Sequence, residues 1–448
     1  MIKQKQTPYR SKLCCAAVTN ALLLIALLSL STCNTGLNSL LELQREMYPV
    51  QNYDELADAI DGAPENGQPR VIGLVKNIRL SGTITIGNNK NITLTAFDRA
   101  AVITAEDTPA MNIAPFIAVE GGGSLTLGHK LAIADLVLDG ENNASRSNSL
   151  VSVASITGAT ASLTMNDRVI LQNNKTSSGS GGGVIIQQNG VFIMHGGIIR
   201  YNTVSNDGGG VYISNNGNFT MAGKASMYGN DAYVGGGVCI VDDGTFTMAD
   251  NTALYGNYAG NGGGVDISGA GSFTMKDNAS IHNNILNTLG AMHGGGIHME
   301  VNATFTMNGN TSVYGNPAKD GGGVYMEDDS TFHMNGGSIN GNTVSNDGGG
   351  VYMKVRAKLI MHGGSINGNT ASNDGGGVYS SNNEDYCFQM NGGTIYDNIA
   401  LAGENLYVEA PSAFYNLVKI IILNENYIIE YGDPFKYDLT IPPAPPNP

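Results

Sequence analysis

The chain alternates apolar and polar residues in short bursts broken by glycine and asparagine. After each glycine triplet comes an apolar–variable–apolar trio. The first place is Val or Ile: Val184, Val211, Val238, Val265, Ile297, Val324, Val351 and Val378. The second varies freely: Ile185, Tyr212, Cys239, Asp266, His298, Tyr325, Tyr352 and Tyr379. The third is Ile or Met except at Ser380. Fixed apolar positions flanking a variable one have period two, which predicts a strand with one buried face. A second trio, Phe-x-Met, ends at Met194, Met221, Met248, Met275, Met307, Met334 and Met390, and Leu359-Ile360-Met361 fills its one gap. A third short segment ends in Asn, as in Tyr228-Gly229-Asn230, Tyr255-Gly256-Asn257 and Tyr314-Gly315-Asn316. In the repeat region no window sustains a 3.6-residue period, and glycine at this density would melt a helix.

These trios recur together. Glycine triplets begin at Gly181, Gly208, Gly235, Gly262, Gly294, Gly321, Gly348 and Gly375, in steps of 27 residues with a single step of 32. The longer step carries an insertion around Leu286–His293. Thr203–Tyr212 recurs identically as Thr343–Tyr352, the mark of recent duplication. Three strands per repeat, without hairpin signals, predict a coil whose equivalent strands stack in parallel and in register, a parallel β-helix. The Asn that closes each third segment is expected to form an amide ladder along the axis, since amides can satisfy one another's donors and acceptors, or else only to serve left-handed turns; both readings predict the same fold. Ser124–Leu127 and Ser162–Met165 match the Phe-x-Met strand in worn form, so the N-terminal third has the same architecture. Asp54–Ile60 reads as a short amphipathic helix stopped at Gly62 and placed to cover the open end of the first coil. About twelve coils at ~4.8 Å each predict a rod of about 55–60 Å.

The fold class is therefore all-β, a single-stranded parallel β-helix of ~27-residue coils with an N-terminal capping helix. Residues 51–410 form it: 51–69 as the cap, 70–178 as irregular coils and 179–410 as regular repeats. Residues 411–440 read as C-terminal strands or a cap, and 441–448 as a proline-rich tail.

The N-terminus has a different character. Lys3, Lys5, Arg10 and Lys12 precede an apolar run from Leu13 to Leu30, followed by Ser31, Thr32 and Cys33. A basic start, an apolar core and small residues before a cut site make residues 1–32 a secretory signal. Leu30-Ser31-Thr32-Cys33 resembles a bacterial lipobox, which implies lipid attachment at Cys33, with 33–50 as a tether. Cys14, Cys15 and Cys33 belong to this region. Cys239 and Cys387 lie about five coils apart, roughly 24 Å at ~4.8 Å per layer, too far for a disulfide.

Composition narrows the function. Glycine accounts for 61 of 448 residues, about twice the usual share of roughly 7%. Tryptophan is absent, and Lys+Arg 23 against Asp+Glu 38 leaves a net charge of −15. This balance speaks against a nucleic-acid partner. The glycines form neither a nucleotide loop nor a Ca²⁺-binding nonapeptide repeat.

The Phe-Thr-Met, Tyr-Gly-Asn and Gly-Gly-Gly-Val-Tyr array resembles the right-handed parallel β-helix repeats of the pectate-lyase-like superfamily. It is closest to repeat lipoproteins of spirochaetes and similar to the repeats of chlamydial polymorphic outer-membrane proteins. The resemblance covers about residues 70–410, and the chain lacks their translocating barrel. It implies an exported protein, lipid-anchored at a bacterial outer membrane or cell surface, that acts as an adhesin toward a host matrix protein or glycan without catalysis. The alternative is a carbohydrate-binding or polysaccharide-cleaving envelope protein, because other members of the superfamily cleave polysaccharides.

Such an enzyme would need clustered carboxylates for Ca²⁺ and an Arg or Lys base. Asp320, Asp347 and Asp374 stand 27 residues apart and are the Ca²⁺ candidates, although only Lys319 accompanies them. No catalytic residues are assigned and no cofactor is required. Tyr325, Tyr352 and Tyr379 form an outward aromatic column, a candidate binding surface for sugar rings or a partner, or else a stabilising ladder. His282, His293 and His298 gather around the insertion.

Overall fold

The computed structural model describes residues 46–156, 158–287, 291–381 and 387–408, with Ile421–Ile422 and Leu439–Ile441. The secretory signal, Cys33, most of the tether, most of 411–440 and the tail beyond Ile441 lie outside the described residues. The chain forms two units, residues 1–47 and 48–448.

The second unit is a parallel β-helix. Its strands form three long stacks of 14, 13 and 12 members, here sheets A, B and C. The Phe-x-Met strands make sheet A, the strands before the Asn make sheet B, and the strands after the glycines make sheet C. The path of one coil is Val184–Gln187 in C, Val191–Met194 in A, Ile198–Arg200 in B, then Thr203–Val204 in a short fourth strand. Register is kept from coil to coil: Phe219 sits on Phe246 and Met221 on Met248, and Val238 sits on Val265. The last pair in sheet B, Gly393–Ile395 with Leu439–Ile441, runs antiparallel.

The alternation read from the sequence becomes the wall of this tube. Phe and Met of sheet A are buried and the Thr between them is half-buried. Phe192, Phe219, Phe246, Phe273, Phe305 and Phe332 stack face to face in the lumen, with centroids 4.6–5.1 Å apart. The strand spacing fixes this distance, and it suits offset aromatic stacking.

The asparagines form the expected ladder. Asn202, Asn230, Asn257, Asn284, Asn316, Asn342, Asn369 and Asn398 are all buried. Each donates from Nδ2 to the next Oδ1, for example Asn230 to Asn257 and Asn257 to Asn284, both at 3.0 Å. Each backbone N–H also donates to that same Oδ1, as from Asn230 at 3.1 Å. The second Nδ2 proton goes back to a sheet B carbonyl, as from Asn257 to Met227. Every amide in the middle of the ladder thus makes its full complement of four hydrogen bonds. The left-handed residue is the one before each Asn, such as Gly229 (φ 65°), Gly256 (φ 58°) or Tyr201 (φ 55°).

The ladder has two ends that the repeat pattern does not contain. Asn405, seven residues after Asn398, accepts its last amide bond at 3.0 Å. At the other end, buried Arg146 donates from Nε to Asn174 Oδ1 (3.1 Å) and lies over the Phe116 ring at 4.4 Å. Burial lowers the Arg146 pKa to about 10, still leaving it charged at neutral pH.

The glycine triplet answers three separate contacts, seen at Gly321–Gly323. Gly321 has φ +61°, and a Cβ there would lie 2.7 Å from Tyr325 Cβ. A Cβ on Gly322 would meet the Gly349 carbonyl at 2.7 Å. One on Gly323 would meet the Gly350 carbonyl and Ile339 Cγ2, both at 2.6 Å. Gly323→Ala is therefore expected to cost about 3 kcal/mol through overpacking against backbone. Gly341→Ala, left-handed (φ +60°) where Gly323 is not but with open space around it, is expected to cost about 1 kcal/mol. Urea midpoints of the two variants test this ordering.

The N-terminal cap is a helix, α1, Tyr53–Asp61. Asn52 Oδ1 accepts from Glu55 N–H, and Glu55 Oε2 accepts from Gln51 N–H, both at 2.9 Å, a reciprocal box that starts the helix. Leu56, Ala59 and Ile60 turn inward onto the first strands. Gly62 closes α1 as expected, yet with φ −76° rather than a left-handed turn. Tyr48–Val50, placed in the tether by the sequence reading, is a strand that pairs with Ile72–Leu74 and opens sheet A.

Candidate functional site

The outward column of sheet C is where chemistry changes from coil to coil. Cys239, Asp266, His298 and Tyr325 are consecutive partners in register. The alternation makes these positions point away from the lumen, but all four are buried. The first glycine of each triplet folds across the column, as the Gly321–Tyr325 approach illustrates. The residue before the triplet adds a second cover: His293 stacks on Tyr325 at 4.3 Å. Position on the outer face and access to solvent are thus different properties here.

Within the column, His298 Nδ1 lies 2.8 Å from Asp266 Oδ1, and Cys239 Sγ donates to Asp266 Oδ2 at 3.8 Å. Burial alone would lower the His298 pKa, but its hydrogen bond to Asp266 and the nearby charges of Asp266, Glu300 and Glu327 raise it. Burial, then the charges of Asp266 and Asp207, pushes the Cys239 thiol well above its usual range. The order Cys–Asp–His puts a carboxylate, not the imidazole, beside the sulfur. A neutral, enclosed thiol in that setting is not an activated nucleophile.

Glu300 and Glu327 follow the strands of His298 and Tyr325 and are half-buried. Burial raises the Glu300 pKa first; His298 opposes this, and Asp266, Glu327 and Asp328 add to it. Tyr325 Oη donates to Glu327 Oε2 at 3.4 Å, and Lys354 Nζ sits 3.2 Å from that same oxygen. A ring nitrogen of His298 and a carboxylate oxygen from each of Glu300 and Glu327 lie within 4.8 Å of one another. Asp266, Glu300 and Glu327 were not singled out by sequence reading. The signal was available: once the repeats are aligned, an acid or His interrupts the Tyr column, and two Glu follow in adjacent coils.

The Ca²⁺ candidates are tied into the backbone of the stack. Asp320 Oδ1 accepts the N–H of Asp347 (3.2 Å), and Asp347 Oδ1 accepts that of Asp374 (3.0 Å). The Asp320 and Asp347 carboxylates thus each cap the next coil. Burial opposes ionisation of Asp320, but the His293 ring nitrogen 3.3 Å away and the hydrogen bond from the Asp347 N–H hold its pKa below the usual carboxylate value. Asp347→Asn keeps an acceptor oxygen for Asp374. We expect it to change stability by under about 0.5 kcal/mol, with no Ca²⁺ dependence in either protein, as read by thermal melts with and without Ca²⁺.

Tyr325, Tyr352 and Tyr379 do form a column, with centroids 4.8 Å apart. Tyr325 and Tyr379 are 2% and 7% exposed. Their faces are occupied by one another, so the column is a packed ladder and not a platform on which a sugar ring could stack. The three histidines do not converge. His293 and His298 flank Tyr325, whereas His282 belongs to sheet B, between Tyr255 and Tyr314 at 5.2 and 4.7 Å.

That second ladder, Tyr228–Tyr255–His282–Tyr314, is half-buried and borders an exposed ridge. Tyr201, Tyr233, Tyr258 and Ile285 are 50, 48, 41 and 39% exposed. Tyr258 pairs in register with Ile285 in the short fourth strands. Tyr201 occupies the left-handed position filled by glycine in other coils, and its ring meets Tyr228 edge-on at 5.4 Å. The sequence reading missed this ridge because its residues fall outside the alternating trios. Among the described residues no disulfide joins Cys239 and Cys387.

No curated protein and no solved structure matches the chain. The family described as the right-handed β-helix region matches residues 156–336, the stretch that carries both the sheet C cluster and the aromatic ridge. With the parallel stacking of its strands, this makes the fold of the chain a right-handed parallel β-helix.

Proposed function

We propose that the chain is an exported surface protein, lipid-anchored at Cys33 on a bacterial outer membrane or cell surface, that binds an extracellular partner without catalysis. The observation that carries this reading is the ridge of Tyr201, Tyr233, Tyr258 and Ile285. It places one exposed large apolar side chain in each of four consecutive coils, three of them Tyr. Exposed Tyr is the side chain most often used to anchor a partner, since its ring is apolar and its hydroxyl hydrogen-bonds. The partner class is a host matrix protein or a glycan, reached through ring edges and hydroxyls. The signal-like N-terminus and Cys33 supply the export and the anchor.

A second reading, a carbohydrate-binding or polysaccharide-cleaving envelope protein, draws on the grouping of Asp266, His298, Glu300 and Glu327. Residues 34–448, passed over matrix proteins and glycans with and without Ca²⁺, test both. Retention that falls at least tenfold in Tyr233→Ser/Tyr258→Ser is the expected result. New sugar ends would favour the second reading, and neither retention nor cleavage would defeat both. The anchor fails if Cys33→Ser still takes up palmitate.

A further inference from the structure

We propose that His298, Glu300 and Glu327 bind a first-row divalent transition metal on the outer side of sheet C, with Asp266 as the positioning residue that orients the histidine. This goes beyond the partner-binding reading and does not depend on it. The three ligands come from two adjacent coils. His298 and Glu300 are two residues apart along one strand and its exit, and Glu327 occupies in the next coil the place that Glu300 holds. Their donor atoms all lie within 4.8 Å of one another. A tetrahedral Zn²⁺ site with bonds of about 2.0–2.1 Å needs ligand atoms about 3.3 Å apart. The half-buried Glu side chains can close that gap by rotating about their terminal torsions.

The histidine is the independent pointer to a metal. Its side chain is 4% exposed. Nδ1 is engaged by Asp266 at 2.8 Å, and Nε2 makes no hydrogen bond to any described residue. A carboxylate that holds one ring nitrogen and leaves the other free is the arrangement that orients metal-ligating histidines. An imidazole beside two carboxylates selects Zn²⁺, Co²⁺ or Mn²⁺ over Ca²⁺, which takes six to eight oxygens. The charges agree with this. The negative charges of Asp266, Glu327 and Asp328 reach Glu300, and Lys354 contacts Glu327 at 3.2 Å. The ammonium holds one of the two Glu327 carboxylate oxygens and so competes with the ion. Three protein ligands leave a coordination position for water or for an oxygen of a partner.

The test uses the full-length chain, stripped with a chelator and titrated with Co²⁺ alone while its visible absorption is followed. Zn²⁺ and Ca²⁺ then serve as competitors. Saturable one-to-one binding, displaced by Zn²⁺ and not by equal Ca²⁺, is expected. Glu300→Gln and Glu327→Gln, isosteric and near the surface, should each weaken it at least tenfold with unchanged far-ultraviolet circular dichroism. Asp266→Asn should weaken it about 10–100-fold, as loss of an orienting partner does. Lys354→Met should tighten it severalfold by removing the competing ammonium, an effect that a merely structural role for the cluster would not produce. Absence of saturable binding, or binding that survives both Glu→Gln changes, overturns the proposal.

Discussion

Asn257→Ala is expected to destabilise the centre of the β-helix by about 4–6 kcal/mol, more than any surface change in the same coil. The side chain takes part in four hydrogen bonds. Its Oδ1 accepts from the Asn230 backbone N–H and from Asn230 Nδ2, and its Nδ2 donates to Met227 O and to Asn284 Oδ1. Alanine leaves all four partners buried without water. An unmade buried hydrogen bond costs about 1–3 kcal/mol, and even the low end, taken four times, gives this range. The loss should be local, because each coil touches only its neighbours. Urea unfolding reads the total, and hydrogen exchange should show lost protection at Asn230 N–H and in adjoining coils. A change below about 1 kcal/mol would mean that the ladder is dispensable. Asn257→Asp is no rescue, since it restores the acceptor but loses both donors and buries a charge.

Phe246→Ala is expected to cost about 4 kcal/mol. The ring is 1% exposed and lies between Phe219 and Phe273, each 4.8 Å away. Truncating a buried Phe costs about 3–5 kcal/mol, since the cavity collapses only in part. In a tube held by three sheets the walls cannot close inward without shifting the register of neighbouring coils. The protein supplies its own control: Leu359 takes this place between Phe332 and Phe388. Phe246→Leu should accordingly cost only about 1–1.5 kcal/mol, and Thr247→Ala, on the outer side, under about 0.5 kcal/mol. Equal destabilisation by Ala and Leu at 246 would show that stacking, not volume, holds the column.

Much of this architecture was legible because each coil repeats one solution. The period-two trios identify which residues face the lumen, the 27-residue step sets which residues stack, and the Asn after each Gly marks the ladder. The glycine triplets were legible as turns, but not as three separate contacts with a side chain, a neighbouring carbonyl and the lumen. The candidate sites were less legible. The Tyr325 column left a binding surface and a stabilising ladder both open, because alternation records only which side of the sheet a residue occupies; His293 packs over Tyr325 and favours the ladder. The aspartates Asp320, Asp347 and Asp374 were recognised as a stack. Their partners proved to be backbone N–H groups of the next coil, which spacing alone does not specify. Tyr233 and Tyr258 lie in the connection between the Asn and the next glycine triplet, outside the alternating trios that mark exposure.

By itself the sequence determined the repeat, the strand faces, the parallel in-register stacking and the helical cap. These follow from local alternation, positive-φ residues and a constant repeat length, all of which are properties of the chain in one dimension. The tertiary structure alone decided which outward positions are covered, where the amide ladder ends, at Arg146 and Asn405, and that His298 meets Asp266, Glu300 and Glu327. Those outcomes depend on how each connecting segment folds back over its own sheet and on contacts between residues about 30 positions apart. Identical spacing places residues in one column; only the packed structure determines which of their polar atoms find partners.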